Sequence, residues 1–122
     1  MLKKILLILM LSFILPVSAG EFEDALKNYS KVFLYIYTPE CGYCKQFDSI
    51  YDKLNKKYNN DCKFVKINAN TEYGNLVMRM TDAHFVPNVL LINSEKQIMH
   101  RVTPKCLLEY ACIKDAVLKF VD

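Results

Sequence analysis

Residues 32–37 (VFLYIY) form an unbroken apolar run rich in β-branched and aromatic side chains. Such a run reads as a strand buried on both faces. Thr38 and Pro39 end it, because proline has no N–H to give to a central ladder. From Cys44 onward the period changes. Phe47, Ile50, Tyr51, Leu54 and Tyr58 recur at helical spacing, with Lys45, Asp48, Lys53, Lys56 and Lys57 between them. That pattern predicts an amphipathic helix of about sixteen residues. Residues 21–28 (EFEDALKN) predict a short helix ahead of the first strand. Residues 63–68 (KFVKIN) predict a second strand, 72–80 a helix, and 89–92 a third strand after Pro87. A polar turn at 93–96 leads into a fourth strand around 97–100. Thr103 and Pro104 supply a helix start, the threonine as N-cap and the proline where no N–H is needed. One last helix is expected from there, burying Ile113, Ala116, Val117 and Phe120. Alternating strands and helices predict an α/β domain with parallel strands in a central sheet, and the close final pair predicts an antiparallel edge hairpin.

The first nineteen residues do not fit this pattern. Lys3 and Lys4 precede an apolar stretch at 5–15 broken only by Ser12, followed by Pro16 and Val17-Ser18-Ala19. This is the layout of a secretory signal cleaved after Ala19. An apolar core of about eleven residues falls short of the roughly twenty needed to cross a bilayer, which argues against a retained anchor. The expected division is a signal at 1–19 and one domain at 20–122, with neither repeats nor a low-complexity linker. Without the signal the chain keeps 14 basic and 13 acidic side chains, a net charge of +1. That balance gives no reason to expect a nucleic-acid partner, or a membrane partner after cleavage. All five cysteines lie after the signal. Export permits disulfide chemistry, and the odd count leaves at least one cysteine unpaired within the chain.

Cys41-Gly42-Tyr43-Cys44 stands where the buried strand meets the amphipathic helix. The free N–H groups of a first helical turn and the positive end of the macrodipole stabilise a thiolate there. Cys41 is therefore the candidate nucleophile. Cys44, one turn in, is the more enclosed sulfur and the candidate resolving thiol. A zinc half-site needs a second closely spaced ligand pair, which Cys62, Cys106, Cys112, His84 and His100 do not supply; a permanently oxidised structural disulfide is the other bland alternative. In one continuous last helix Cys106 and Cys112 would lie about 9 Å apart along the axis, beyond disulfide reach. A bridge between them needs a distorted first turn at Cys106, and pairing either one with Cys62 depends on tertiary placement; otherwise the three act as small apolar side chains.

The segment VFLYIYTPECGYCKQF resembles the active-site strand, loop and helix of the thioredoxin superfamily, and Val86-Pro87 followed by VLLI resembles that family's cis-proline loop and third strand. The likeness covers nearly all of 21–122. It implies a thioredoxin fold, a central mixed sheet of about four strands flanked by helices, and a thiol–disulfide oxidoreductase without a cofactor or metal. By the resemblance Cys41 attacks, Cys44 resolves, and Pro87 is cis beside them with the Val86 backbone free to pair with an extended substrate. Tyr43 is expected to stay exposed and touch substrate, and Gly42, Glu40 and Lys66 to modulate the thiols.

The departures are Glu40 in place of a tryptophan, and Gly-Tyr, the dipeptide of bacterial DsbC-type isomerases, in place of Gly-Pro. Tyr35 stands where the family carries a buried acid, with Lys66 at the position of its lysine partner, and Asn88 follows Pro87. No proton acceptor for Cys44 is identified. Glu40 either disfavours the thiolate or meets a basic partner; Lys66 either faces solvent or tunes the thiols; His84 and His100 are surface residues. The expected partners are protein thiols and disulfides and a redox partner protein, acting on a monomer in the periplasm or another extracytoplasmic space of a bacterium. Tyr43, where strong oxidants of the superfamily carry histidine, favours reduction or isomerisation. The rivals are a partner-binding module with a locked disulfide and a glutaredoxin-like, glutathione-dependent enzyme.

Mass spectrometry of the protein from its native cell is expected to find a chain beginning at Gly20. Cytoplasmic material with Met1 intact would overturn the export reading.

Overall fold

In the computed structural model, which describes residues 20–122, the doubly buried run is β1 (Lys31–Tyr37), and Val32, Phe33, Leu34, Tyr35 and Ile36 are all fully buried. The strand is central because both faces are apolar. It pairs in parallel with β2 (Lys63–Asn68) and antiparallel with β3 (Asn88–Asn93), which pairs antiparallel with β4 (Ile98–Arg101). The resulting four-stranded mixed sheet has the order β2-β1-β3-β4. Register places Tyr35 beside Lys66 on one side and Val89 on the other.

The helices divide between the two faces by the alternation of β1. Phe33 and Tyr35 join Cys44, Phe47, Tyr51, Leu54 and Tyr58 of α2 (Gly42–Tyr58) in one core. Val32, Leu34 and Ile36 face the other way, onto Phe22 and Ala25 of α1 (Glu21–Asn28) and Val77 of α3 (Glu72–Met80). Ile50, expected in the core, is half-buried. In α3, the Thr71 hydroxyl accepts from the Gly74 amide at 2.9 Å and caps the helix. The same turn lies so close to the end of β2 that a Cβ on Gly74 would overlap the Asn68 carbonyl oxygen and come within 2.9 Å of the Ala69 Cα.

The end of the chain departs from the expected single helix. There are two, α4 (Pro104–Leu107) and α5 (Tyr110–Val121), separated by Leu108 and an extended Glu109 (φ −109°, ψ 105°). The break folds Cys106 back toward Cys112. Their Cα atoms are 5.3 Å apart and the sulfurs are bonded; the distance expected for a straight helix does not apply. Ile113 and Val117 are buried as expected, whereas Ala116 and Phe120 are half-buried. Cys62 alone remains a free, buried thiol, and burial, with Asp61 adding to it, pushes its pKa up to about 12. The 93–96 turn closes through Gln97 in the left-handed region (φ 55°), so β4 starts at Ile98. Residues 1–19, which carry the predicted signal, lie outside the described residues. Among the described residues no helix is long and apolar enough to cross a membrane.

Gly74→Ala is expected to cost about 1–3 kcal/mol, since the backbone it meets cannot move aside. Gly42, with nothing within 4 Å of a built Cβ, is expected to accept alanine with a change of less than about 0.5 kcal/mol. Urea denaturation of the two variants reads both values; equal midpoints would refute the close approach.

Candidate active site

The reactive pair is placed by the end of β1. Thr38 and Pro39 turn the chain, Cys41 donates its amide to the Thr38 carbonyl at 3.2 Å, and α2 starts with Cys41 as its N-cap. Cys41 and Cys44 form a disulfide with Cα atoms 5.2 Å apart. Cys41 is half-buried, while Cys44 is 1% exposed. The Cys44 amide donates to Cys41 Sγ at 3.1 Å, so a first-turn N–H is already aimed at the sulfur that would carry the negative charge on reduction. No acidic residue lies in the first turn of α2 to oppose that charge. Glu40 is turned aside: its carboxylate accepts from Asn70 Nδ2 at 2.8 Å, in the loop after β2. Gly42 and Tyr43 are exposed.

The Val86-Pro87 bond is cis. Pro87 is buried and Val86 half-buried, and together with Tyr43 they line a cavity of about 300 Å³. Thus Tyr43, Val86 and Pro87, distant in sequence, meet in one place. The loop is braced from behind by Asn88, noted in the sequence as the residue after Pro87, and by Arg101, which carried no signal there. Asn88 Nδ2 donates to the Phe85 carbonyl at 3.1 Å. Arg101 Nε donates to Asn88 Oδ1 at 3.1 Å, and its other nitrogens donate to the carbonyls of Thr81 and Asp82. One guanidinium thereby joins β4, the end of α3 and the residue after Pro87.

Beneath Cys44 lies a second polar group. The Tyr35 hydroxyl is within bonding distance of two acceptors, the Cys44 carbonyl at 3.1 Å and Asp48 Oδ1 at 2.9 Å. Lys66 Nζ is 3.3 Å from the same Asp48 oxygen and sits over the Tyr37 ring at 4.7 Å. Burial, and then the hydrogen bond to Asp48, hold the Tyr35 phenol above its ordinary range, so it remains a neutral donor. Lys66 is therefore not a freely solvated side chain, and Asp48, read in sequence as part of a charged helix face, supplies a carboxylate near the position where Tyr35 replaces one. Its sequence signal was its spacing: Asp48 is four residues after Cys44 and so shares its side of the helix. His84 is exposed and pairs with Asp82; His100 is exposed on β4.

The thioredoxin family model matches residues 13–109. The chain belongs to the thioredoxin family. No individual curated protein matches it significantly in sequence. Among solved structures, the J-Trx1 fragment of ERdj5 superposes with a TM-score of 0.71 at 15% identity, covering 83% of this chain and 46% of that fragment, so the chain spans under half of its length. Mitochondrial thioredoxin 3 of Saccharomyces cerevisiae, in its oxidised form, gives 0.68 at 19% identity over 81% of this chain and 87% of that one. The reduced Schistosoma mansoni thioredoxin pre-protein gives 0.68 at 22% identity over 83% and 90%. At these identities the superpositions establish the fold. The family match, with the Cys41/Cys44 pair at bonding distance, makes the chain a thiol–disulfide oxidoreductase.

Tyr35→Phe is expected to lower stability by about 1–2 kcal/mol through the lost hydrogen bonds, while keeping the ring contacts with Phe47 at 4.9 Å and Tyr51 at 5.2 Å. Chemical denaturation checks it; an unchanged midpoint would mean the hydroxyl contributes nothing.

Proposed function

We propose that this thioredoxin-family protein is an exported monomer that reduces or isomerises disulfides in other proteins outside the bacterial cytoplasm, with Cys41 attacking and Cys44 resolving. The observation that carries the reading is the inequality of the two sulfurs: Cys41 caps the helix and is partly open to solvent, and Cys44 is enclosed. In the reduced protein the Cys41 thiolate attacks one sulfur of a substrate disulfide. A Cys41–substrate disulfide forms, and the other substrate sulfur leaves as a thiolate and takes a proton. Cys44 then loses its proton and attacks Cys41 Sγ; the Cys41–Cys44 disulfide forms and the second substrate thiolate leaves. We assign the Cys44 proton to Asp48, one turn further along α2 and joined to the Cys44 carbonyl through Tyr35. Val86 offers backbone for an extended substrate beside the sulfurs. The basic start and short apolar core of the sequence support export, and Tyr43 before the second cysteine supports the reducing or isomerising direction. A separate redox protein would return the pair to its dithiol form.

Mixed-disulfide trapping tests the assignment. Cys44→Ser is expected to leave Cys41 joined to substrate proteins, and Cys41→Ser to trap almost none. Asp48→Asn is expected to slow the release of bound substrate at neutral pH, and raising the pH past the roughly 8.5 of a free thiol should relieve the defect. A reduction potential between about −270 and −180 mV is expected for the pair; a value near about −120 mV would assign oxidation instead. Faster attack by Cys44, or full exchange activity in both single cysteine variants, would overturn the roles.

A further inference from the structure

The cavity beside the dithiol has a wall that the strand and cis-proline loop do not provide. Opposite Tyr43, Phe85 and Val86 stand Pro104, Lys105 and Leu108, all from the turn that interrupts the end of the chain. Tyr43, Phe85 and Leu108 are 63%, 42% and 37% exposed, so three large apolar side chains face solvent around one opening. Lys105 is the one charged residue lining it. Glu40, on the other side of Cys41, is already held by Asn70.

This wall is built deliberately rather than left over. A four-residue helix has too few hydrogen bonds to persist alone. α4 is fixed by the Thr103 cap on the Cys106 amide, by the fully buried Leu107, and by the Cys106–Cys112 bond to α5. With Cys106 and Leu107 turned inward, Lys105 and Leu108 are left exposed at the groove.

We propose that this groove selects substrates by sequence: it takes an extended polypeptide whose reactive cysteine is flanked by a bulky apolar side chain and an acidic one, with Leu108 and Lys105 as the specificity-determining residues and the Cys106–Cys112 disulfide as the clamp that positions them. The inference rests on the reading of Cys41/Cys44 as the exchange pair. The apolar side chain is taken between Tyr43, Phe85 and Leu108, which removes their surface from water. The carboxylate meets Lys105, whose charge repels a basic neighbour. Because Tyr43, a residue between the two cysteines, lines the groove, occupancy brings the substrate disulfide close to Cys41.

The test is a set of short disulfide peptides offered to the reduced protein, with the rate of Cys41 mixed-disulfide formation divided, for each variant, by its own rate with hydroxyethyl disulfide. A peptide with Phe and Asp beside its cysteine is expected to react about tenfold faster than one with two alanines, and one with Phe and Lys to lose most of that gain. Leu108→Ser should erase the preference for Phe. Lys105→Glu should turn the preference for Asp into one for Lys. The paired change Cys106→Ala with Cys112→Ala should flatten both preferences; should that variant fail to fold, the two exposed single substitutions decide the matter alone. Equal normalised rates for all peptides, or preferences that survive Leu108→Ser and Lys105→Glu, would overturn the proposal. Wild-type protein inert toward hydroxyethyl disulfide would instead overturn the exchange reading on which it stands.

Discussion

Cys44 is gripped from two sides. Its amide donates to the sulfur of Cys41, and its carbonyl lies under the Tyr35 hydroxyl, which belongs to the middle of the sheet. The first turn of α2 is thus fastened to β1 at the residue where the chemistry occurs. Everything else about the site follows from that attachment. The N-cap sulfur faces outward because the next turn is pinned inward, and the helix N–H groups are aimed before any substrate arrives. A loop carrying the same two cysteines would have to order itself first, at a conformational-entropy cost on the order of 1–2 kcal/mol per residue.

The rest of the molecule reinforces this geometry from both faces of the sheet. Phe47, Tyr51 and Leu54 press α2 onto Phe33 and Tyr35, and the ring contacts at 4.9–5.9 Å among them leave the helix little freedom to roll. From the other edge, Arg101 holds Asn88 and the end of α3, so the Pro87 loop and the dithiol are each anchored to regular structure. Asp48 pairs with both Tyr35 and Lys66, and Lys66 also lies against tyrosine rings, so the buried Tyr35 hydroxyl is not left without a partner.

Much of this was legible in the sequence where a single physical rule decided the outcome. An apolar run of six residues ended by Thr38 and Pro39 has little alternative to a central strand, and the 3.6-residue period from Cys44 gives α2 to within two residues of its start. The harder features are those set by contacts between distant parts. The break after Leu107 involves neither proline nor glycine; it is sustained by a disulfide and by buried Leu107, and local propensity favours running on. Lys66 was ambiguous because alternation along β2 distinguishes two faces but does not say that both are covered by helices. Asp48 looked like one more solvated charge among the lysines of α2 until the register set Tyr35 beside Lys66.

The arrangement of the five cysteines also bears on how the chain acquires its bonds. The two pairs join residues three and six apart, so neither bond has to close a long loop and the loop-closure cost of each is small. Cys62 stands apart from both. Buried in the folded domain at 5% exposure, and held as a neutral thiol, it is withdrawn from exchange once the domain has formed. The correct pairing is therefore favoured by proximity while the chain is open and protected by burial afterwards. A thiol–disulfide oxidoreductase can in this way form its own bonds without its odd cysteine, Cys62, becoming a point of entanglement.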